Sequence, residues 1–130
     1  MKSALCPFCE FDEAFLENGL AFARFDLYPV TQGHLLVIPK RHFADFFDST
    51  KEELEAIQEL LWQARRILDE KFRPDGYNVG INCGIVSGQT IPHVHVHLIP
   101  RYKGDVDDPT GGVRGVIPAK QKYPSSGMKF

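Results

Sequence analysis

An α+β fold built on an antiparallel sheet is the architecture this sequence predicts. Three observations carry it. Short strand-like stretches lie at residues 20–28, 34–38 and 77–82; one long segment, 49–73, has the apolar spacing of a helix; and residues 93–99 alternate strictly after it. Strands, then one long helix, then more strands is the element order of such a fold.

Taken in order, Leu20-Ala-Phe-Ala-Arg-Phe-Asp-Leu-Tyr28 puts Leu20, Phe22 and Arg24 on one side, with Phe25 and Leu27 in a later alternation, and reads as a strand. Pro29 through Gly33 form a turn, and His34 to Ile38, nearly all apolar, reads as a central strand. Over 49–73, Ser49 with Glu52 is expected to form a capping box. Leu54, Ile57, Leu60, Leu61, Ala64, Ile67 and Leu68 follow one helical face, and Pro74-Asp-Gly76 ends it. Tyr77 to Asn82 reads as a strand, Cys83 to Thr90 as a Gly-rich loop, and His93 to Pro100 as a further strand. Beyond Arg101 the chain carries Gly and Pro and few periodic apolar residues; a segment this long is either functional or lacks fixed structure.

The 130 residues make one domain of common size, and 43% hydrophobic with 25% charged residues is ordinary for a folded soluble protein. A net charge of −2 does not advertise nucleic-acid or membrane binding, and no apolar run approaches the roughly 20 residues that span a bilayer. The start of the chain lacks the apolar stretch of a signal peptide, so a cytoplasmic protein is expected. Residues 101–130 carry a local +3 against −5 over the first hundred, which suits either an anionic ligand or a solvated surface. Cys6-Pro-Phe-Cys9, in a chain with three cysteines, points in a reducing compartment to metal or redox chemistry before a disulfide.

The reactive centre lies in His93-Val-His-Val-His-Leu-Ile99. Side chains two apart on a strand share a face, about 7 Å apart, so the three imidazoles converge on one side while Val94, Val96 and Leu98 face a core. Three rings in strict alternation are hard to explain structurally, because each buried ring demands partners. Two chemistries suit them: metal binding, and nucleophilic or acid/base attack on phosphorus near neutral pH. Three ligands along one strand converge poorly on a tetrahedral ion. The preceding Ser87-Gly-Gln-Thr90 offers hydroxyls, an amide and backbone N–H groups to an anion, which favours phosphate chemistry.

His-Val-His-Val-His-Leu-Ile resembles the signature of the histidine triad (HIT) family of nucleotide hydrolases and transferases. Phe25-Asp26, Gly33-His-Leu-Leu-Val-Ile-Pro39, Lys40-Arg-His42, Asn82 and Gly88-Gln-Thr90 are similar to further family segments, and the resemblance covers roughly residues 5–102. Ser87-Gly-Gln-Thr90 and Arg101-Tyr-Lys-Gly-Asp105 look like the dinucleoside-polyphosphate hydrolase (Fhit-like) branch, Asn82 like the nucleoside phosphoramidase (Hint-like) branch. The resemblance implies a HIT-like fold with about five antiparallel strands, one long helix and a short helix over 1–105, and an extended tail of the same domain over 106–130. It implies a nucleotide hydrolase in which His95 attacks the α-phosphorus, forms a nucleotidyl–histidine intermediate and yields a nucleoside monophosphate. His97 would bind the phosphate and help the leaving group, His34 would support the triad, and Gln89 would contact the bridging or leaving side. Asp26 would take the ribose hydroxyls, Asn82 and Thr90 would hold the phosphate or ribose edge, and Phe8, Leu27 and Ile38 would sandwich the base, expected to be adenine. Cys6 and Cys9 alone are half a site; the resemblance implies that His42 and His93 complete a structural zinc site, and Cys83 remains a packed thiol. A homodimer with Trp62 near its interface is also implied, with Arg114 and Lys120 reaching a neighbouring phosphate. A phosphorylase or nucleotidyltransferase, and a non-catalytic nucleotide-binding adaptor, stand as alternatives on the same pocket.

Overall fold

The computed structural model describes residues 6–10 and 12–124. Five strands, β1 (Leu16–Glu17), β2 (Ala21–Phe25), β3 (Leu35–Pro39), β4 (Gly76–Ile81) and β5 (Val96–Arg101), form one sheet in the order β1-β2-β3-β5-β4. Every neighbouring pair is antiparallel. The helix α1 (Lys51–Phe72) packs on one face. The shorter helical segments among the described residues are 3-10 turns, from Pro7–Cys9 near the start to Pro118–Lys120 in the tail.

Alternation along the strands divides the sheet into two faces. Ala21 and Ala23, Leu35 and Val37, Val96 and Leu98 meet Ile57, Leu60, Ala64 and Leu68 of α1. On the other face Phe22, Leu36 and Ile38 are covered by Cys6, Phe8 and Cys9 of the N-terminal segment. The second face, closed by a loop rather than a helix, holds the histidines.

The capping box sits one residue beyond the expected pair. Thr50 Oγ1 accepts from Glu53 N–H, and the Glu53 carboxylate accepts from Thr50 N–H at 2.9 Å. Ser49 instead donates its hydroxyl to Phe46 O at 2.6 Å. Both pairs satisfy the sequence rule, but Glu53 also receives two bonds from Arg41, at 2.9 and 2.8 Å, which fixes its rotamer at the helix start. Leu54, counted with the apolar face, points outward at 42% exposure. The helix ends at Arg73 in the left-handed region, φ 50°, just before Pro74.

Gly33 closes the β2–β3 turn with φ +89°, and a Cβ there would stand 2.9 Å from the Phe72 ring. Only glycine lets the turn lie against the end of α1. The strand expected over 93–100 begins at Val96, because His93 lies on a bend whose N–H goes back to Ile91 O, and Val94 N–H goes to Phe43 O. The tail folds onto the sheet edge. Arg101 grips Asp105 with two bonds, 2.7 and 2.8 Å, and donates to Asn78 Oδ1 of β4 at 2.7 Å. Arg114 is turned inward, donating to the carbonyls of Lys120 and Gln121 and lying over Tyr123. Neither Arg114 nor Lys120 lines the histidine cleft of this chain.

Candidate functional site

The histidine row splits into two neighbouring sites. His93 belongs to a closed cluster with Cys6, Cys9 and His42, whose ligand atoms all lie within 4.8 Å of one another. His93 Nδ1 stands 3.4 Å from Cys6 Sγ, 3.7 Å from Cys9 Sγ and 3.1 Å from His42 Nδ1, and Cys9 Sγ stands 3.3 Å from His42 Nδ1. Tetrahedral bonds of about 2.0–2.1 Å to nitrogen and 2.3 Å to sulfur put ligand atoms roughly 3.3–3.8 Å apart, so the observed spacing fits a metal ion. The tautomer fits as well. His93 Nε2 lies 2.7 Å from Pro39 O, and a carbonyl only accepts, so Nε2 carries the proton and Nδ1 presents a bare lone pair to the cluster. Burial pushes the Cys6 thiol up and the His93 ring down, the first of which a cation among the four atoms would reverse. The four residues could therefore hold a metal ion.

His95 and His97 open instead onto a cleft of about 540 Å³, lined also by Phe8, Arg24, Asp26, Leu27, His34, Leu36, Asn82, Gly88 and Thr90. The two rings stand 5.2 Å apart between centroids, and Phe8 packs on His95 at 4.9 Å. Their proton positions follow from their partners. His95 Nδ1 donates to His93 O at 2.9 Å, which leaves Nε2 as a lone pair. Val30 N–H donates to His34 Nδ1 at 3.1 Å, so His34 carries its proton on Nε2 and gives it to His97 Nδ1 at 2.9 Å. His97 is thereby left with a proton on Nε2. Adjacent rings thus hold opposite tautomers: one offers a lone pair, the other an N–H.

Burial lowers the pKa of both His34 and His97, and the neighbouring His95 and His34 lower His97 further, so both rings are neutral at physiological pH. Asp26 opposes this weakly from 3.5 Å; its other oxygen accepts from Tyr28 N–H. Asp26, His34 and His97 also have metal-like spacing, but the hydrogen-bond relay accounts for it.

Most residues expected in the site come together: His34, His95, His97, Asp26, Asn82, Thr90, Phe8 and Leu27 all line the cleft. Two do not. Ile38 is buried in the cluster of Phe22 and Cys9 and does not line the cleft. Gln89 turns away, its amide donating to Ala44 O and Ile91 O while its oxygen accepts from Gly84 N–H. Here Gln89 shapes the 84–90 loop. Arg24 and Leu36 line the cleft too, and the alternation that carries Asp26 puts Arg24 on the same face.

A family model described as the HIT domain matches residues 10–104. The chain belongs to the HIT family. Among HIT relatives, a bis(5'-adenosyl)-triphosphatase from Dictyostelium discoideum is 40% identical over 74% of this chain and 64% of its own length. An AP-4-A phosphorylase from Mycobacterium tuberculosis is 37% identical over 78% of this chain and 56% of its own. The chain thus spans a little over half to two thirds of these relatives. A zinc-bound histidine triad family protein from Mycobacterium smegmatis is 30% identical, covers 91% of this chain and 94% of its own, and superposes with a TM-score of 0.72. Among the described residues no helix is long and apolar enough to cross a membrane.

Proposed function

We propose that this protein is a nucleotide hydrolase that acts at the α-phosphate through His95. The opposite tautomers of His95 and His97, facing one cleft, carry this reading. The His95 Nε2 lone pair attacks the α-phosphorus; a P–N bond forms and the bond to the leaving phosphate or amine breaks. The His95 Nδ1–H stays on His93 O and shares the positive charge of the adduct. His97 Nε2–H donates to a phosphoryl oxygen, held in register by His34, and Thr90 and Asn82, which line the same cleft, are the further contacts for the phosphate or ribose edge. Water then attacks phosphorus, the P–N bond breaks, His95 recovers its lone pair, and a nucleoside monophosphate and a proton leave. Asp26 is the acceptor for the ribose hydroxyls. The triphosphatase among the relatives supports this class of reaction.

The phosphorylase relative favours a second reading, in which inorganic phosphate resolves the intermediate and a nucleoside diphosphate leaves. Product analysis with and without phosphate separates the two. Tight nucleoside monophosphate binding without turnover would instead indicate an adaptor.

Zinc is the ion we assign to Cys6, Cys9, His42 and His93. Two thiolates and two imidazoles suit it, and four protein ligands leave no position for water, so its role is structural. It would tie the N-terminal segment to the chain just before β5. A homodimer is the expected assembly, with the exposed Trp62 and Val79 beside Tyr77 as an apolar surface for it. The decisive experiment is quenching in alkaline detergent, which a P–N bond to histidine survives, with a nucleotide labelled at the α-phosphate. Label is expected on His95 in the wild type and none in His95→Ala; label retained in the variant would overturn the assignment.

A further inference from the structure

Arg24 is a charged side chain of the cleft to which the mechanism gives no task. It is 8% exposed. Its Nη1 donates to Pro7 O at 3.3 Å, its guanidinium carbon lies 5.6 Å from the Phe8 ring centre, and its buried Nε has no hydrogen-bond partner. Among the described residues no carboxylate is paired with it. A guanidinium has five N–H donors, and a buried one that uses so few is poorly compensated unless a ligand supplies acceptors.

Its place in the sheet says which part of a nucleotide would do so. Arg24 pairs with Leu36, and Leu36 pairs with His97. That puts the Arg24 Cα two strand spacings, roughly 10 Å, from the Cα of His97, whose ring handles the phosphate, with Asp26 roughly 7 Å along the same face. This is about the reach from an α-phosphate past a ribose to the base. The walls there, Phe8, Leu27 and Leu36, are apolar, as a flat base requires.

We propose that Arg24 selects the nucleobase and favours a 6-oxopurine, guanine or hypoxanthine, over adenine. O6 and N7 of a 6-oxopurine are two adjacent acceptors that match a guanidinium fork, whereas adenine offers N7 beside a donating amino group. The inference rests on the nucleotide reading above and replaces adenine as the expected base.

Calorimetric titration of the full chain with GMP, IMP, AMP and ribose 5-phosphate tests it, in wild type, Arg24→Leu and Arg24→Lys. GMP and IMP are expected to bind about tenfold or more tighter than AMP, and 7-deaza-GMP to lose most of that advantage. Arg24→Leu should bring the GMP-to-AMP ratio towards one and Arg24→Lys should keep part of it, a graded change that general loosening of the cleft would not produce. Equal wild-type affinities for GMP and AMP would overturn the proposal, as would a ratio untouched by both substitutions. So would a parallel loss for GMP, AMP and ribose 5-phosphate, which would make Arg24 a phosphate contact. If no nucleotide binds the wild type, the nucleotide reading itself fails, an outcome distinct from binding without preference.

Discussion

His93 and His95 are two residues apart, buried, and on the same face of the molecule, yet they lie in sites of opposite character. His93 gives its Nε2 proton to Pro39 O and turns a bare Nδ1 into a closed set of four ligand atoms. His95 gives its Nδ1 proton to His93 O and turns a bare Nε2 into an open cleft. What an imidazole can do is decided by the hydrogen bond on its other nitrogen. The same logic makes His97 a donor, because His34 occupies its Nδ1.

The comparison breaks most severely at His95. His95→Ala should lower turnover by at least about a thousandfold, the scale of losing a nucleophile, while nucleotide binding survives in a titration. Next is the closed end. Cys9→Ser should reduce bound zinc well below one equivalent by elemental analysis. It should also lower Tm by about 5–10 °C, the scale of a 2 kcal/mol loss in a chain this size. Stoichiometric zinc in that variant would leave Cys9 out of the ligand set. A third test separates orientation from chemistry. His34→Gln should reduce kcat by roughly ten- to a hundredfold with little change in KM, because His97 loses the partner that sets its tautomer. A change confined to KM would make His34 a binding residue.

The smallest effect concerns pH. Unfolded, His34 and His97 take up protons near 6.5; folded, burial keeps them neutral to lower pH. Below pH 6.5 the unfolded state therefore binds more protons, and stability falls as pH drops from about 7 until the folded rings titrate. The Tm advantage of wild type over His34→Gln should narrow from pH 7.5 to 5.5, and an advantage that widens would contradict the neutral pair.

Much of this was legible from residue patterns. The strands at 21–25 and 35–39, the helix and its apolar face follow from period and from breakers such as Pro74. The two-residue strand β1 was not, since Leu16-Glu17 has no period to detect and exists only because β2 pairs with it. The cap moved from Ser49–Glu52 to Thr50–Glu53 because Arg41, outside the helix, holds Glu53. Gln89 left the cleft because the carbonyls of Ala44 and Ile91 lie within reach of its amide. Arg24 had the right alternation, but nothing local marks a guanidinium as under-bonded.

The alternation of His93, His95 and His97 with the buried Val94, Val96 and Leu98 is written in the chain alone, since a period of two is a property of neighbours along it. So is the spacing that keeps the two thiols of Cys6 and Cys9 within one turn of each other. Which ring nitrogen of His93 is bare depends on groups far away along the chain. The thiols that meet His93 come from 84 and 87 residues away, and the Pro39 carbonyl that orients it from 54. A tautomer is set by an acceptor in space, and folding alone brings that acceptor to the ring.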